Sequence, residues 1–161
     1  MNDSLSQLAV QIRTELIEVE RVLGRINEGW RRAQRSADDF YLDSVALNLH
    51  GFYNGLERVF ERIGVVVDGA KPIGENWHKT LLMQMAAEVT SVRPAVISST
   101  THDALDEYRA FRHVARRIYT FNLDAIKLEH LVTGAPEQFE LVRRELLAFA
   151  DFLDEQASDR L

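Results

Sequence analysis

The chain has 161 residues, of which 46% are apolar and 27% charged, and its formal net charge is −6. That describes one soluble domain, residues 1–161, with enough apolar surface for a core, and the acidic balance argues against a general nucleic-acid coat protein while leaving room for a small basic cleft. There is no cysteine, which excludes disulfides, thiolate metal sites and thiol nucleophiles. No apolar run approaches a membrane span, and MNDSLSQLAVQIRTELIEVE lacks the basic-then-apolar order of a signal peptide, so a cytoplasmic location and no membrane partner are expected.

The apolar pattern is helical almost throughout. Leu5, Leu8, Ile12, Leu16, Val19, Leu23, Ile26 and Trp30 recur at steps of three and four and predict a long amphipathic first helix, with Asp3, Ser4 and Ser6 as candidate N-caps. The cluster RRAQRSADD ends it, its cations complementing the helix dipole. Leu42, Val45, Leu49, Phe52, Leu56, Val59 and Ile63 predict a second long helix, closed by Gly64. In VVVDGAKPIGEN, Gly69, Pro72 and Gly74 break structure, and Val65–Val67 reads as a short extended piece. Asn76 is placed to cap a third helix through WHKTLLMQMAAEVT, which SVRP stops because Arg93 precedes Pro94.

A fourth helix is predicted from about His102 to Val132, with Phe111, Val114, Ile118, Phe121, Ala125, Leu128 and Val132 as its seam. Gly134 and Pro136 are expected to end it and open a last helix seamed by Phe139, Val142, Leu146, Phe149 and Leu153. Long helices joined by short turns predict an all-α fold, an antiparallel bundle of about five helices.

The stretch YRAFRHVARRIY, Tyr108–Tyr119, concentrates Arg109, Arg112, His113, Arg116 and Arg117 in an acidic protein. On one continuous helix Arg112, Arg116 and Tyr119 would point nearly the same way. A cationic, phenol-bearing stripe is costly to desolvate, so it marks either an anion-binding face or a solvated one bridged to acids such as Asp106 and Glu107. His50 and His78 lack the spacing of a metal pair, and Trp77–His78 is expected to start the third helix with the indole against the bundle. Met83 and Met85 read as core filler. No phosphate-cradling glycine loop and no Ser-His-Asp arrangement is present, so neither metal nor cofactor is expected.

With these residues in view, the chain resembles the HepT-like branch of the HEPN superfamily. That branch carries Arg, four residues, His, one residue, Tyr. Here Arg112, its polar follower His113 and Tyr119 match, while Arg117 stands where the branch has His. LNLHGFYNGLERVFERIG resembles the branch's second helix, GENWHKTLLMQM its central segment and VRPAVIS the loop after it, so the likeness spans roughly residues 5 to 155.

The resemblance implies a HEPN-like helical bundle and a homodimer whose two motifs face one cleft. It implies a toxin acting as a metal-independent endoribonuclease on RNA, whether tRNA or mRNA, and a minimal nucleotidyltransferase antitoxin as partner. On that reading Arg112, His113, Arg117 and Tyr119 are the catalytic candidates, Arg109 and Arg116 bind substrate, and Tyr119 is the site of AMPylation. Arg112 suits a phosphate because guanidinium offers a fixed fork. Arg117 cannot serve as a base at neutral pH. The alternative is a non-catalytic RNA- or nucleotide-binding module, or an AMPylation substrate; a purely structural helical oligomer is a third reading.

Overall fold

The computed structural model describes residues 2–119 and 122–159 and is built from helices alone. In chain order these are α1 (Asn2–Ser36), α2 (Phe40–Ile63), α3 (Trp77–Met85), α4 (Ser99–Ala115) and α5 (Ala125–Asp159). At 1.5 Å per residue the 35-residue α1 and α5 each extend about 50 Å. No helix among the described residues is long and apolar enough to cross a membrane.

Helix α1 is the spine, packed along both α2 and α5. Its direction against α2 follows from paired positions. Gly29 faces Val45, Gly51 faces Val22, Gly55 faces Val19, and Arg58 bonds Glu15 at 2.8 Å. As one number rises the other falls, so the two run antiparallel. The expected apolar seams form the core, with Leu8, Ile12, Ile26, Leu49, Phe52, Leu56 and Leu146 among its least exposed side chains.

The α1–α2 crossing is tightest at Gly55, where an added Cβ would lie 2.7 Å from Val19 Cγ2, itself buried. Alanine is the better helix former by about 1 kcal/mol, yet forcing a methyl into a packed crossing costs about 1–3 kcal/mol. Gly55→Ala should therefore lose net stability in urea unfolding, and adding Val19→Ala should return part of it.

Several predicted boundaries move, each for a local reason. Helix α1 already runs at Asn2, so Asp3, Ser4 and Ser6 lie inside it, not at the position before it. Gly64 does not close α2, because its backbone is helical (φ −56) and the chain continues through Gly64–Asp68 as a π turn. The closing residue is Gly69, whose φ of 77 requires the left-handed region and whose N–H reaches the Gly64 carbonyl. The segment Val65–Val67 is thus helical, not extended.

Helix α3 starts at Trp77 after Asn76, whose side chain makes no capping bond, and stops at Met85. The Met85 carbonyl accepts from Val96 N and Ile97 N, so the returning loop takes the acceptor that a longer helix would have used. Helix α4 starts at Ser99, capped by Ser98 Oγ, which accepts from Thr101 N.

The largest departure is in the predicted fourth helix. It ends at Ala115, and α5 begins at Ala125, where Asp124 Oδ1 accepts from Ile126 N at 2.9 Å and Lys127 N at 3.3 Å. Val114 and Ile118, placed in the seam by periodicity, are exposed, and Phe121 lies outside the described residues. Gly134 and Pro136 sit within α5. Pro136 removes the donor for the Val132 carbonyl, and one residue earlier the buried Tyr108 hydroxyl donates to the Leu131 carbonyl at 2.7 Å. That side-chain bond supports the turn that proline weakens.

Candidate functional site

Three helices meet at one buried polar cluster. Helix α2 brings Asn54 and Glu57, three residues apart on one side; the first turn of α3 brings His78; the last turn of α4 brings Arg112. Arg112 is buried, its side chain 5% exposed, beside Glu57 at 7%. The pair is a fork: Nη1 donates to Glu57 Oε1 at 2.8 Å and Nη2 to Oε2 at 3.1 Å. Nη1 also donates to Asn54 Oδ1, and the guanidinium lies 5.0 Å from the centre of the Tyr53 ring.

His78 joins the pair through Nδ1, which lies 2.9 Å from both Glu57 carboxylate oxygens and 2.7 Å from Arg112 Nη2. Its ring stacks on Trp77 at 3.6 Å between centroids, and the half-buried indole packs on the core as expected. Asn54 extends the network to His50, with Nδ2 3.0 Å from His50 Nδ1. Burial, then the positive charges of Arg112 and Arg116, push the His50 imidazole below its ordinary range. Burial likewise pushes the Tyr53 phenol well above its own.

The open stripe expected from the sequence is not formed, because α4 stops at Ala115. Arg112 points into the bundle, and its acid is Glu57; Asp106 and Glu107 pair with Arg109 and His130 instead. Arg116 caps α4 and is exposed, lining a pocket of about 250 Å³ with His50, Leu47, Ala115 and Leu123. Arg117 and Tyr119 lie beyond the helix end, and Tyr119 is 73% exposed. His113 is exposed in the last turn of α4. The structure thus brings Arg112 and Arg116 close enough to His50 to act on its charge and leaves Arg117 and Tyr119 on the adjoining surface turn. Among the described residues no group of three or more His, Asp or Glu is placed to hold a metal.

Asn54, Glu57 and His78 did not stand out by sequence reasoning. A signal for the first two existed: His50, Asn54 and Glu57 occupy i, i+4 and i+7 of a helical stretch in which Phe52, Tyr53, Leu56, Val59 and Phe60 are core and Arg58 is exposed. A carboxylate inside such a turn demands a cationic partner.

A family model described as HepT-like protein matches residues 44–153, which includes every member of this cluster. No curated protein and no solved structure gives a significant match. The matched segment is more than half of the 161 residues, and the helical bundle agrees with it. The chain belongs to the HepT-like family of the HEPN superfamily.

Proposed function

We propose that the protein is a toxin-type endoribonuclease that cleaves RNA without a metal ion, in a cleft between two copies of the chain, and is neutralised by a nucleotidyltransferase antitoxin. The observation that carries this reading is the desolvated Arg112–Glu57 pair with His78 against it, next to an exposed cationic turn. A charge cluster held out of water by three helices is expensive, and such clusters concentrate at reactive sites. Arg112, with its fork taken by Glu57, sets the positive field and the geometry. Arg116 and Arg117, which are exposed, together with Arg109, supply phosphate contacts. His113 and Tyr119 complete the surface that RNA meets. Leu47, 71% exposed in the pocket beside Arg116, gives the two-fold partner an apolar contact.

The test is cleavage of single-stranded RNA or tRNA by the purified protein in EDTA. Arg112→Lys keeps the charge but loses the fork, and should lower the rate by about 100-fold or more. Cleavage that survives this change refutes the assignment.

A second reading rests on Arg117 at the motif histidine position and on the exposure of Tyr119. It makes the chain a substrate for AMPylation at Tyr119, with RNA bound and not cut. AMP added next to Arg116 and Arg117 would compete with RNA for those cations, as phosphorylation does. Mass increments of AMP on Tyr119, with the nucleotidyltransferase present and no cleavage in its absence, would favour it.

A further inference from the structure

From the geometry we infer that His78, oriented by Glu57, is the proton-transfer group for RNA cleavage, occupying the role that Arg117 cannot fill. This rests on the ribonuclease reading above. Three observations lead to it.

First, the Arg112–Glu57 fork is already a satisfied ion pair, and Asn54 accepts a further bond from Arg112. The cluster does not need an imidazole for charge balance. Second, His78 is the open member: its side chain is 27% exposed, against 7% for Glu57 and 5% for Arg112. Nδ1 takes both protein partners, and no bond to Nε2 is made among the described residues. Third, the surroundings of Nδ1 suit a group that moves a proton. A guanidinium N–H can only donate and a carboxylate can only accept. With its proton on Nδ1, the ring donates to Glu57 and Nε2 is a base. Once Nε2 has taken a proton the ring is an imidazolium that keeps its Nδ1–H bond to Glu57, and Nε2–H is then the acid. The Glu57 contact is already at hydrogen-bond distance and serves the neutral base and the imidazolium alike. A carboxylate behind an imidazole is the arrangement that fixes a catalytic tautomer and steadies the imidazolium that forms.

In the step inferred here, Nε2 takes the proton of a ribose 2′-hydroxyl as its oxygen bonds to phosphorus. The bond from phosphorus to the 5′-oxygen breaks, and Nε2–H returns the proton to that oxygen. The products are a 2′,3′-cyclic phosphate and a 5′-hydroxyl, with no net gain or loss of protons and nothing oxidised. The charged or titratable groups around His78 are Glu57, with Tyr53 and the His50–Asn54 pair on α2, Arg112 on α4, and Lys71, whose ammonium is 6.0 Å from the centre of the Trp77 ring.

The test uses the full chain, single-stranded RNA and EDTA. His78→Asn places an amide N–H near the Nδ1 position, so the bond to Glu57 is kept while proton transfer is lost. The rate should fall about 100-fold or more, within the usual range for removing a general base, and the acid limb of the pH–rate profile should disappear. If His78→Asn melts early, Glu57→Gln is the second variant. It keeps the imidazole and removes the carboxylate, and should move the acid limb. Cleavage that depends on Arg112 but keeps its rate and pH profile in both variants overturns the role of His78 and leaves the ribonuclease reading standing. Absence of cleavage by the unaltered chain, or cleavage indifferent to Arg112→Lys, overturns both. His130→Asn, near the start of α5 in an exposed pair with Glu107, should change neither rate nor profile.

Discussion

Arg93→Ala should be among the most destabilising single substitutions in this chain, at about 3–5 kcal/mol. The Arg93 side chain is fully buried, and all five of its N–H donors are used. Nε and Nη2 grip the two Asp68 oxygens at 2.6 and 2.8 Å; Nη1 donates to the Ala87 and Pro94 carbonyls at 2.8 and 3.0 Å; Nη2 also donates to the Gln84 carbonyl at 3.1 Å. Truncation leaves a carboxylate that is 8% exposed without its cation, and takes one donor away from each of three carbonyls. Arg93→Lys restores the charge but not the fork, so most of the loss should remain. Thermal melting gives the check, since at this chain length each kcal/mol moves Tm by about 2–4 °C. A shift of only 1–2 °C would mean that the cluster contributes little. The consequence reaches the candidate site, because Arg93 ties the π turn at the end of α2 to the end of α3, the helix that carries His78.

The same residues mark how far the sequence could be read. Helices α1 and α2 and the later part of α5 were legible because each buries one continuous apolar stripe, and three-four spacing reports such a stripe directly. The region between Ala115 and Ala125 was not, because periodicity continues through it: Ile118 and Ala125 fall on the same spacing as Phe111. What marks the new start there is a local bond, Asp124 capping α5, and an aspartate is also common within helices. Pro136 misled in the opposite direction, since proline usually breaks a helix and here a tyrosine from another helix supports the turn. The arginine of the motif was visible, but its direction was not. Whether Arg112 faces solvent or the interior depends on Glu57, 55 positions away, and pairing at that distance leaves no mark on local spacing. The same limit hid the role of His78, which was weighed only as a metal partner of His50 and as part of the start of the third helix.

Glu57→Ala should cost about 3–5 kcal/mol, because it strands the Arg112 guanidinium in the core with only Asn54, His78 and the Tyr53 ring as neighbours. Arg112→Ala alone should cost a similar amount by stranding the carboxylate. The double variant should cost less than the sum, by about 0.5–3 kcal/mol, which is the mark of a direct pair. A purely additive cycle would mean that the two charges do not support one another. The pair also sets a pH response with a defined sign. The His50 imidazole is held below its ordinary value of 6.5, chiefly by burial and then by Arg112 and Arg116, while Glu57 acts the other way. A depressed imidazole favours the neutral form, so its contribution to stability is complete above the unfolded value and is lost as pH falls through the folded one. Stability should therefore rise from about pH 5 to 7 in the unaltered chain. Removing the Glu57 carboxylate takes away the one group that draws a proton to His50, so its pKa should fall further and the rise with pH should steepen. An NMR titration of the His50 ring reads this directly, and a His50 pKa that rises in Glu57→Ala would mean that the field of this cluster has been assigned the wrong sign.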